Sequence, residues 1–361
     1  MSCFNRAKDA ISELSYIARS KPATSSCGCK PKCSTGCCPD PVCVDPCEET
    51  CEERLCRLEA YTDHLFARTD DLLSQLTGKD VGPALFTFTS DAGQVTSDQQ
   101  LLSNQIVADD PTLAFFGGDN NYEEGNSLTI DANWFTFNHL IKRGIAFPAL
   151  GNHDLDDEAS NPGINQYNKF PYLPGNRRYY HIYNELADTD FFVLNTGVNT
   201  AGSVVEPDGN SVGSVQYKWF LDALSQSCGR FKVVIQHHPF VSGVTNAIND
   251  GRILTAVNWD FKSLGIDLLL NGHTHSAQHI ATGDLDILDV SSAVRGRRAM
   301  SNSGTIYGSD ADIAEIKWAY AGAGQTGERL YANLFVVGKV MSVSVKRITD
   351  GQVVYSFPIY K

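Results

Sequence analysis

The stretch TLAFFGGDNNYEEG, from Thr112 to Gly125, joins an apolar run to a polar turn. The run TLAFF has the composition of a buried strand, and it stops at Gly118 and Asp119. Tyr122 follows three residues after that aspartate. A carboxylate and a phenol therefore stand at the carboxyl end of a strand, which is where ligands bind in open α/β sheets.

Four further apolar runs end in polar residues of the same kind. ALFTFTS ends at Asp91, AFPALGN ends at Asn152, His153 and Asp154, FKVVIQ ends at His237 and His238, and DLLLNG ends at His273 and His275. Helical stretches such as DANWFTFNHLIKRG and VQYKWFLDALSQS lie between the runs. Near-continuous apolar strands alternating with helices predict an α/β fold whose sheets are covered on both faces.

The residue types at these strand ends indicate a class of ion. Carboxylate, amide oxygen and imidazole without thiolate suit first-row metals such as Fe, Mn and Zn. Seven or more such groups exceed what one ion needs, so the sequence predicts two ions. A single carboxylate would then bridge them, as in the two-metal sites that cleave phosphate esters.

The individual motifs differ in how specific they are. A GD pair after a strand is usually only a turn, and SDAG fits a plain loop, whereas GNHD has no common structural use. GHTH is either a surface turn or a pair of metal ligands. QHHPF is expected to hold one ligand and one packing histidine. The prediction of a metal centre rests on the motifs occurring together and in this order.

At these residues the chain resembles the calcineurin-like metallophosphoesterase superfamily, from about Ala84 to the C-terminus. Within it, GDNNY resembles the purple, tartrate-resistant type acid phosphatases, which carry a tyrosine three residues after the bridging aspartate. Most of the superfamily has a histidine two residues after the first aspartate, and Gly93 stands at that place here. The resemblance implies a four-layer α/β/β/α sandwich.

The resemblance also implies a role for each residue. It assigns one ion, ferric in family members, to Asp91, Tyr122 and His275, and a second, divalent ion (Fe, Zn or Mn) to Asn152, His237 and His273. Asp119 would bridge the two ions. His237 is preferred to His238 because the family places its ligand two residues before a proline, here Pro239. His153 would be catalytic, facing the substrate and assisting the metal-bound hydroxide that attacks phosphorus.

Composition limits the partners and the compartment. The formal net charge of −13 argues against nucleic acid as a partner, and the expected partner is a small phosphorylated substrate. The sequence shows no apolar run long enough to span a membrane and no apolar core of a signal peptide. We therefore expect a cytoplasmic protein, although a secreted one stays compatible with the sequence.

The N-terminal region differs from the rest of the chain. Residues 1–47 form a predicted Cys-rich segment, 48–78 a predicted amphipathic or coiled-coil-like helix, and 82–361 the predicted catalytic domain. Ten of the eleven cysteines lie between Cys3 and Cys56. Cys47 and Cys51 could clamp a zinc ion on one helix face, and a disulfide-linked or flexible tail and lipidation are the alternatives. The 48–78 helix either docks on the domain or mediates a homo-oligomer.

The functional prediction is a dimetal-dependent phosphomonoesterase of acid phosphatase type. Two alternatives remain open at the level of sequence. One is a phosphodiesterase with the same metal core, and the other is a non-catalytic, metal-containing scaffold protein.

Overall fold

The computed structural model describes residues 82–157, 160–244, 257, 259–291, 293–294, 305–308, 311–320 and 328–361. The chain divides between residues 80 and 81, and every described element belongs to the second unit. The predicted Cys-rich segment 1–47, the predicted helix 48–78, and Cys47 and Cys51 lie outside the described residues. They stay predictions.

The strands form two main sheets. In chain order they are β1 (Ala84–Thr89), β2 (Leu113–Phe116), β3 (Ala146–Pro148), β4 (Tyr180–Asn184), β5 (Thr189–Val193), β6 (Phe231–Ile235), β7 (Val241–Ser242), β8 (Leu268–Asn271), β9 (Ala277–Thr282), β10 (Leu285–Val290), β11 (Tyr307–Gly308), β12 (Ala314–Ala319), β13 (Leu330–Val337), β14 (Val340–Arg347) and β15 (Val353–Tyr360). One sheet has the order β15-β14-β13-β1-β2-β3, and the other has the order β12-β9-β10-β8-β6-β5-β4. The short strands β7 and β11 pair with each other.

The strands that precede the predicted site residues pair in parallel. β1, β2 and β3 run parallel in the first sheet, and β5, β6, β8 and β10 run parallel in the second. The carboxyl ends of parallel strands lie at the same edge of a sheet, so the residues that follow them are neighbours.

Short helices connect the strands. They are α1 (Ser97–Asp109), α2 (Ile130–Asn133), α3 (Asn138–Lys142), α4 (Ile164–Lys169) and α5 (Val215–Gln226), with 3₁₀ turns at Phe135–Phe137 and Asp154–Asp156. Thr96 caps α1 by accepting the Gln99 N–H at 3.1 Å, and Ser214 caps α5 by accepting the Tyr217 N–H at 3.2 Å.

Successive side chains along a strand point to opposite faces of the sheet, and this places them in different layers of the fold. On β5, Phe191 and Val193 join the core between the two sheets, whereas Phe192 points to a second core that includes Phe220 of α5. Phe86 meets Phe191 edge-on across the sheets, with ring centroids 4.8 Å apart. Helical residues such as Leu102 of α1 close the outer face of the first sheet. The predicted four-layer α/β/β/α sandwich is confirmed.

Two elements differ from the sequence prediction. DANWFTFNHLIKRG, predicted as a helical stretch, is divided into α2, a 3₁₀ turn and α3, and Trp134 and Phe137 are both buried and pack with Phe116. AFPALGN forms a strand only over Ala146–Pro148. A hairpin joins β14 and β15, with Gly351 in the left-handed region at φ 69°.

Candidate metal centre

The two sheets each contribute half of the predicted site. Asp91, Asp119 and Asn152 follow β1, β2 and β3 of the first sheet, while His237, His273 and His275 follow β6 and β8 of the second. The backbone bonds Asp91 N–H to Gly118 C=O at 3.0 Å and Gly272 N–H to His237 C=O at 2.9 Å lock adjacent turns together. The predicted residues therefore converge at one edge, where the two sheets face each other.

The turns that carry these side chains are tightly bent. Asp91, Asp119, His273 and His275 have φ values of 56°, 54°, 71° and 52°, in the left-handed region that L-residues seldom adopt. Each such residue costs about 1 kcal/mol or more, so the surroundings must hold it in place. Strain of this kind is concentrated at functional sites.

Close approach of the turns depends on two glycines. A Cβ on Gly151 would lie 2.2 Å from the Asp119 nitrogen, and a Cβ on Gly118 would lie 2.6 Å from His237 Nδ1. Any side chain at either position would separate Asp119 from the GNHD turn or from His237. The glycines in the GD and GNHD motifs are thus spatial requirements of the site.

One group of side chains surrounds the Tyr122 hydroxyl. That oxygen lies 2.9 Å from Asp119 Oδ2, 3.1 Å from Asp91 Oδ1 and 3.4 Å from His275 Nε2. His275 Nε2 is in turn 3.2 Å from Asp91 Oδ1. Possible ligand atoms of Asp91, Asp119 and His275 all lie within 4.8 Å of one another.

A second group surrounds the Asn152 side chain. Its Oδ1 lies 2.9 Å from His273 Nδ1 and 3.1 Å from His237 Nε2. His237 Nε2 is also 3.4 Å from Asp119 Oδ1, so Asp119 presents one oxygen to each group. This is the position expected of a carboxylate that bridges two ions.

His238 also lies beside the second group. Ligand atoms of His237, His238 and His273 lie within 4.8 Å of one another, and His238 is fully buried. Its Nδ1 is 2.7 Å from Thr196 Oγ1. The sequence predicted His238 only as a packing residue.

Charge in the pocket favours a cation. Burial opposes ionisation of Asp119, but the charge and hydrogen bond of His237 outweigh it and hold the Asp119 pKa well below its usual value. The pKa of Asp91 is lowered in the same way, against its burial, by His275 and His237. Burial also disfavours charged His237, yet the adjacent Asp119 carboxylate raises the His237 pKa to about 9. Positive charge between these carboxylates is therefore strongly stabilised.

The donor set fits metal ions rather than a proton network alone. A phenol has one proton, so the Tyr122 hydroxyl can donate to only one of the two buried carboxylates it contacts. Its contact with the other carboxylate then brings two hydrogen-bond acceptors together. A cation between these two oxygens would remove their repulsion. Carboxylate, phenol, amide oxygen and imidazole are also the donors that iron, manganese and zinc accept.

His153 lies at the solvent side of the centre. Its backbone N–H donates to Asp119 Oδ1 at 3.0 Å, and its side chain is 24% exposed. The ring packs on Tyr122 with centroids 4.5 Å apart, and Nε2 lies 3.9 Å from Asp119 Oδ2. Nδ1 contacts the Glu123 carbonyl, which can only accept, so Nδ1 carries a proton and Nε2 faces the centre.

Asp154 supports the site, and sequence reasoning gave it no role. Its carboxylate accepts the Gly151 N–H at 2.8 Å and the Asn120 N–H at 3.0 Å, joining the turns after β3 and β2. Burial, and then the charge of Asp119, raise the Asp154 pKa to about 7. The signal for it was present, because Asp154 is the last residue of the GNHD motif.

Comparison with known proteins agrees with this geometry. Residues 84–277 match the family model described as calcineurin-like phosphoesterase. The chain belongs to the calcineurin-like phosphoesterase family. The family predicted from the strand-end residues is thereby confirmed, together with its hydrolase class.

Solved structures share the fold of this calcineurin-like phosphoesterase at low sequence identity. A purple acid phosphatase from yellow lupin (Lupinus luteus) seeds has a TM-score of 0.58 at 14% identity, over 79% of this chain and 55% of that chain. GAP50, described as the anchor in the inner membrane complex of Plasmodium, has a TM-score of 0.53 at 16% identity, over 77% and 89%. This chain thus spans about half the length of the lupin enzyme. No curated protein matches it in sequence.

Among the described residues, no helix of this family member is long and apolar enough to cross a membrane.

Proposed function

We propose that this calcineurin-like phosphoesterase hydrolyses phosphate monoesters at a two-metal centre, in the manner of an acid phosphatase. The observation that carries the proposal is the Tyr122 hydroxyl, which lies 2.9 Å from Asp119 and 3.1 Å from Asp91. Tyr122 stands three residues after Asp119, which is the sequence feature in which this chain resembles purple acid phosphatases. The likeness of fold to the lupin enzyme supports it.

The two groups around Asp119 support the ligand roles that the resemblance implies. Asp91, Tyr122 and His275 would hold a ferric ion, Asn152, His237 and His273 a divalent ion (Fe, Zn or Mn), and Asp119 both. When bound, the ions would supply a water-derived nucleophile near neutral pH and neutralise charge on the phosphoryl oxygens. His237 is oriented for its role, because its Nδ1 donates to the Gly117 carbonyl at 2.8 Å and leaves Nε2 facing Asn152 and Asp119.

His153 would act as the general acid. Its Nδ1 proton is held by the Glu123 carbonyl, so the proton that can move is the one on Nε2 of the imidazolium. Nε2 faces the centre from its partly exposed side, where a leaving alcohol oxygen would emerge. The Tyr122 ring supports the imidazole from one side. Proton donation by a positioned side chain typically accelerates a reaction about 10²- to 10⁴-fold.

Substrate specificity is testable with two related esters. We expect the full chain to hydrolyse p-nitrophenyl phosphate faster than bis(p-nitrophenyl) phosphate. The opposite preference would favour the alternative, a phosphodiesterase built on the same metal core.

The contribution of the centre is testable with matched aspartate variants. Asp119→Asn removes the charge between the two ligand groups, whereas Asp110→Asn changes an exposed aspartate that pairs with Arg143 at 2.9 Å. We expect turnover of p-nitrophenyl phosphate to be lost in Asp119→Asn and kept in Asp110→Asn. Equal turnover in wild type, Asp119→Asn and His153→Ala would rule out catalysis at this site.

The same experiment decides the non-catalytic alternative. The fold is also that of GAP50, which is described as an anchor, so a metal-containing scaffold is the rival function. The presence of every expected ligand residue and of His153 favours an enzyme. A chain that binds metal but turns over neither ester would favour the scaffold.

A further inference from the structure

A buried polar cluster lies directly behind the turn that carries His273 and His275. We name it the Asp289 network, and its members are Thr274, Ser276, Gln278, Asp289 and Ser291. All five are buried, and none belongs to the predicted ligand set. The turn residue Thr274 stands between the two histidines, so whatever fixes Thr274 fixes both of them.

Hydrogen bonds tie Thr274 to β10 through the Asp289 carboxylate. The Thr274 hydroxyl donates to Asp289 Oδ2, and the Ser291 hydroxyl donates to Asp289 Oδ1 at 2.6 Å. The Thr274 and Ser276 hydroxyl oxygens lie 2.7 Å apart and share a hydrogen bond. Gln278 Nε2 donates to Ser276 Oγ at 3.1 Å and reaches Asp289 Oδ2 at 3.4 Å.

Backbone bonds connect the network to the strands on both sides of the turn. Ser291 N–H donates to the Ser276 carbonyl at 3.0 Å, and Ser276 N–H donates to Ser291 Oγ at 3.1 Å. Gln278 Nε2 also donates to Ser242 Oγ at 2.9 Å, on β7. The tether of Thr274 is thus anchored to β7, β9 and β10 rather than to a loop.

The turn needs such a tether because its backbone is strained. His273 and His275 have φ values of 71° and 52°, on either side of Thr274. Two left-handed non-glycine residues this close together relax unless the surroundings fix them. On the ligand side, His273 N–H donates to Asp91 Oδ2 at 2.9 Å. On the opposite side of the turn, the Thr274 hydroxyl bonds to the Asp289 carboxyl group.

We propose that Asp289, acting through the Thr274 hydroxyl, is a positioning residue that holds His273 and His275 in the geometry needed to bind the two ions. The inference rests on the proposed metal centre. Because the resemblance assigns His275 to one ion and His273 to the other, loss of this single tether weakens both ion sites together. Groups that orient metal ligands typically affect metal affinity about 10- to 100-fold.

Two substitutions at Thr274 test the tether. Thr274→Val removes the hydroxyl at nearly constant shape, and Thr274→Ser keeps it. The matched control is Thr189→Val, which removes an equally buried hydroxyl that donates to the Ala187 carbonyl at 2.9 Å. Thr189 opens β5, at the edge of the second sheet opposite to the metal centre.

The measurement is the affinity of the full-length chain for Mn²⁺, followed by the electron paramagnetic resonance signal of the free ion. Mn²⁺ prefers oxygen ligands to soft thiolates, so the N-terminal cysteines compete little for it. We expect Thr274→Val to weaken Mn²⁺ binding about 10- to 100-fold. Thr274→Ser is expected to restore wild-type affinity, and Thr189→Val to leave it unchanged.

The other possible results would overturn either the positioning role alone or the positioning role together with the metal centre. Wild-type affinity in Thr274→Val, or equal weakening in Thr189→Val, would overturn the positioning role while leaving the metal centre in place. If Thr274→Val does not fold, Asp289→Ala removes the same bond from its other end and decides by the same titration. Failure of the wild-type chain to bind Mn²⁺ at all would overturn the positioning role and the proposed two-metal centre together.

Discussion

The Tyr122 hydroxyl meets atoms from three separate turns, those of Asp91, Asp119 and His275. A ferric ion at this position would favour the phenolate form of Tyr122, although an unperturbed phenol has a pKa near 10. Ferric phenolate absorbs visible light, whereas aquated or carboxylate-bound ferric ion does not colour a protein in the same way. Colour therefore reports a single bond of the proposed centre.

We predict a broad absorption band in the green for the iron-loaded wild-type protein and no such band for Tyr122→Phe. Phenylalanine keeps the ring that packs on His153 but removes the oxygen ligand. The measurement is the visible spectrum at equal iron content. An unchanged band in Tyr122→Phe would show that another group is responsible for it.

Asp289 gives a second prediction at the residue scale, on stability. Burial raises its pKa to about 8, against hydrogen bonds from Ser291 and Thr274 that lower it. The unfolded chain has an Asp pKa of about 3.9. Between about pH 4 and pH 8 the folded chain keeps a proton that the unfolded chain has lost, so raising the pH through this window reduces stability.

We predict that Asp289→Asn, which stays neutral, removes this part of the pH dependence. The free energy of unfolding of the metal-free variant, minus that of wild type, should rise with pH between about 4 and 8 and level off outside that window. The slope is at most about 1.4 kcal/mol per pH unit. Denaturant unfolding at several pH values measures it, and a difference that is flat with pH would refute the prediction.

At this scale, sequence reasoning singled out residues that end strands, and their roles as metal ligands stay predictions. Asp91, Asp119, Tyr122, Asn152, His237, His273 and His275 were singled out by position and type, and the structure places them together. Asp154 and Asp289 were given no role, because their partners are backbone N–H groups and hydroxyls supplied by other turns. Such partners are invisible until the chain is folded.

At the scale of elements, the turns after the strands matter as much as the strands. Gly118 has φ 98°, and a Cβ on it would lie 2.6 Å from His237 Nδ1 and 2.8 Å from Gly151. Gly144 also has a positive φ, of 68°, but nothing lies within 4 Å of its Cβ position. A comparison of the two glycines therefore distinguishes the cost of a positive φ, which both have, from the cost of a steric clash, which only Gly118 would have.

We predict that Gly118→Ala destabilises the chain more than Gly144→Ala and also impairs metal binding. The control carries only the cost of a left-handed alanine, about 1 kcal/mol or more. The Gly118 variant must in addition move the His237 ring or the GNHD turn, and overpacking of this kind typically costs about 1–3 kcal/mol. Denaturant unfolding compares the two, and equal destabilisation would contradict a steric role for Gly118.

The predicted elements were most accurate where one signal dominated. Apolar runs gave β2, β6 and β8 close to their observed bounds, because these strands are buried on both faces. The segment DANWFTFNHLIKRG contained an apolar pattern that suits a helix, but burial of Trp134 and Phe137 against Phe116 breaks it into shorter turns. Tertiary packing overrides helix propensity there.

At the scale of the whole molecule, the centre joins the two sheets. The first sheet supplies Asp91, Asp119 and Asn152, and the second supplies His237, His273 and His275. The layered fold was predictable from alternating apolar strands and helices, since such strands must be covered on both faces. The order of strands in each sheet was not, because it depends on which strands pair across long stretches of chain.

The most direct test of the central claim is an anomalous diffraction map from crystals of the full chain grown with Mn²⁺. The account predicts two anomalous peaks about 3.5–4 Å apart, with Asp119 between them. One peak should be contacted by Asp91, Tyr122 and His275, and the other by Asn152, His237 and His273. A single peak, peaks elsewhere, or none among these residues would contradict the two-metal centre.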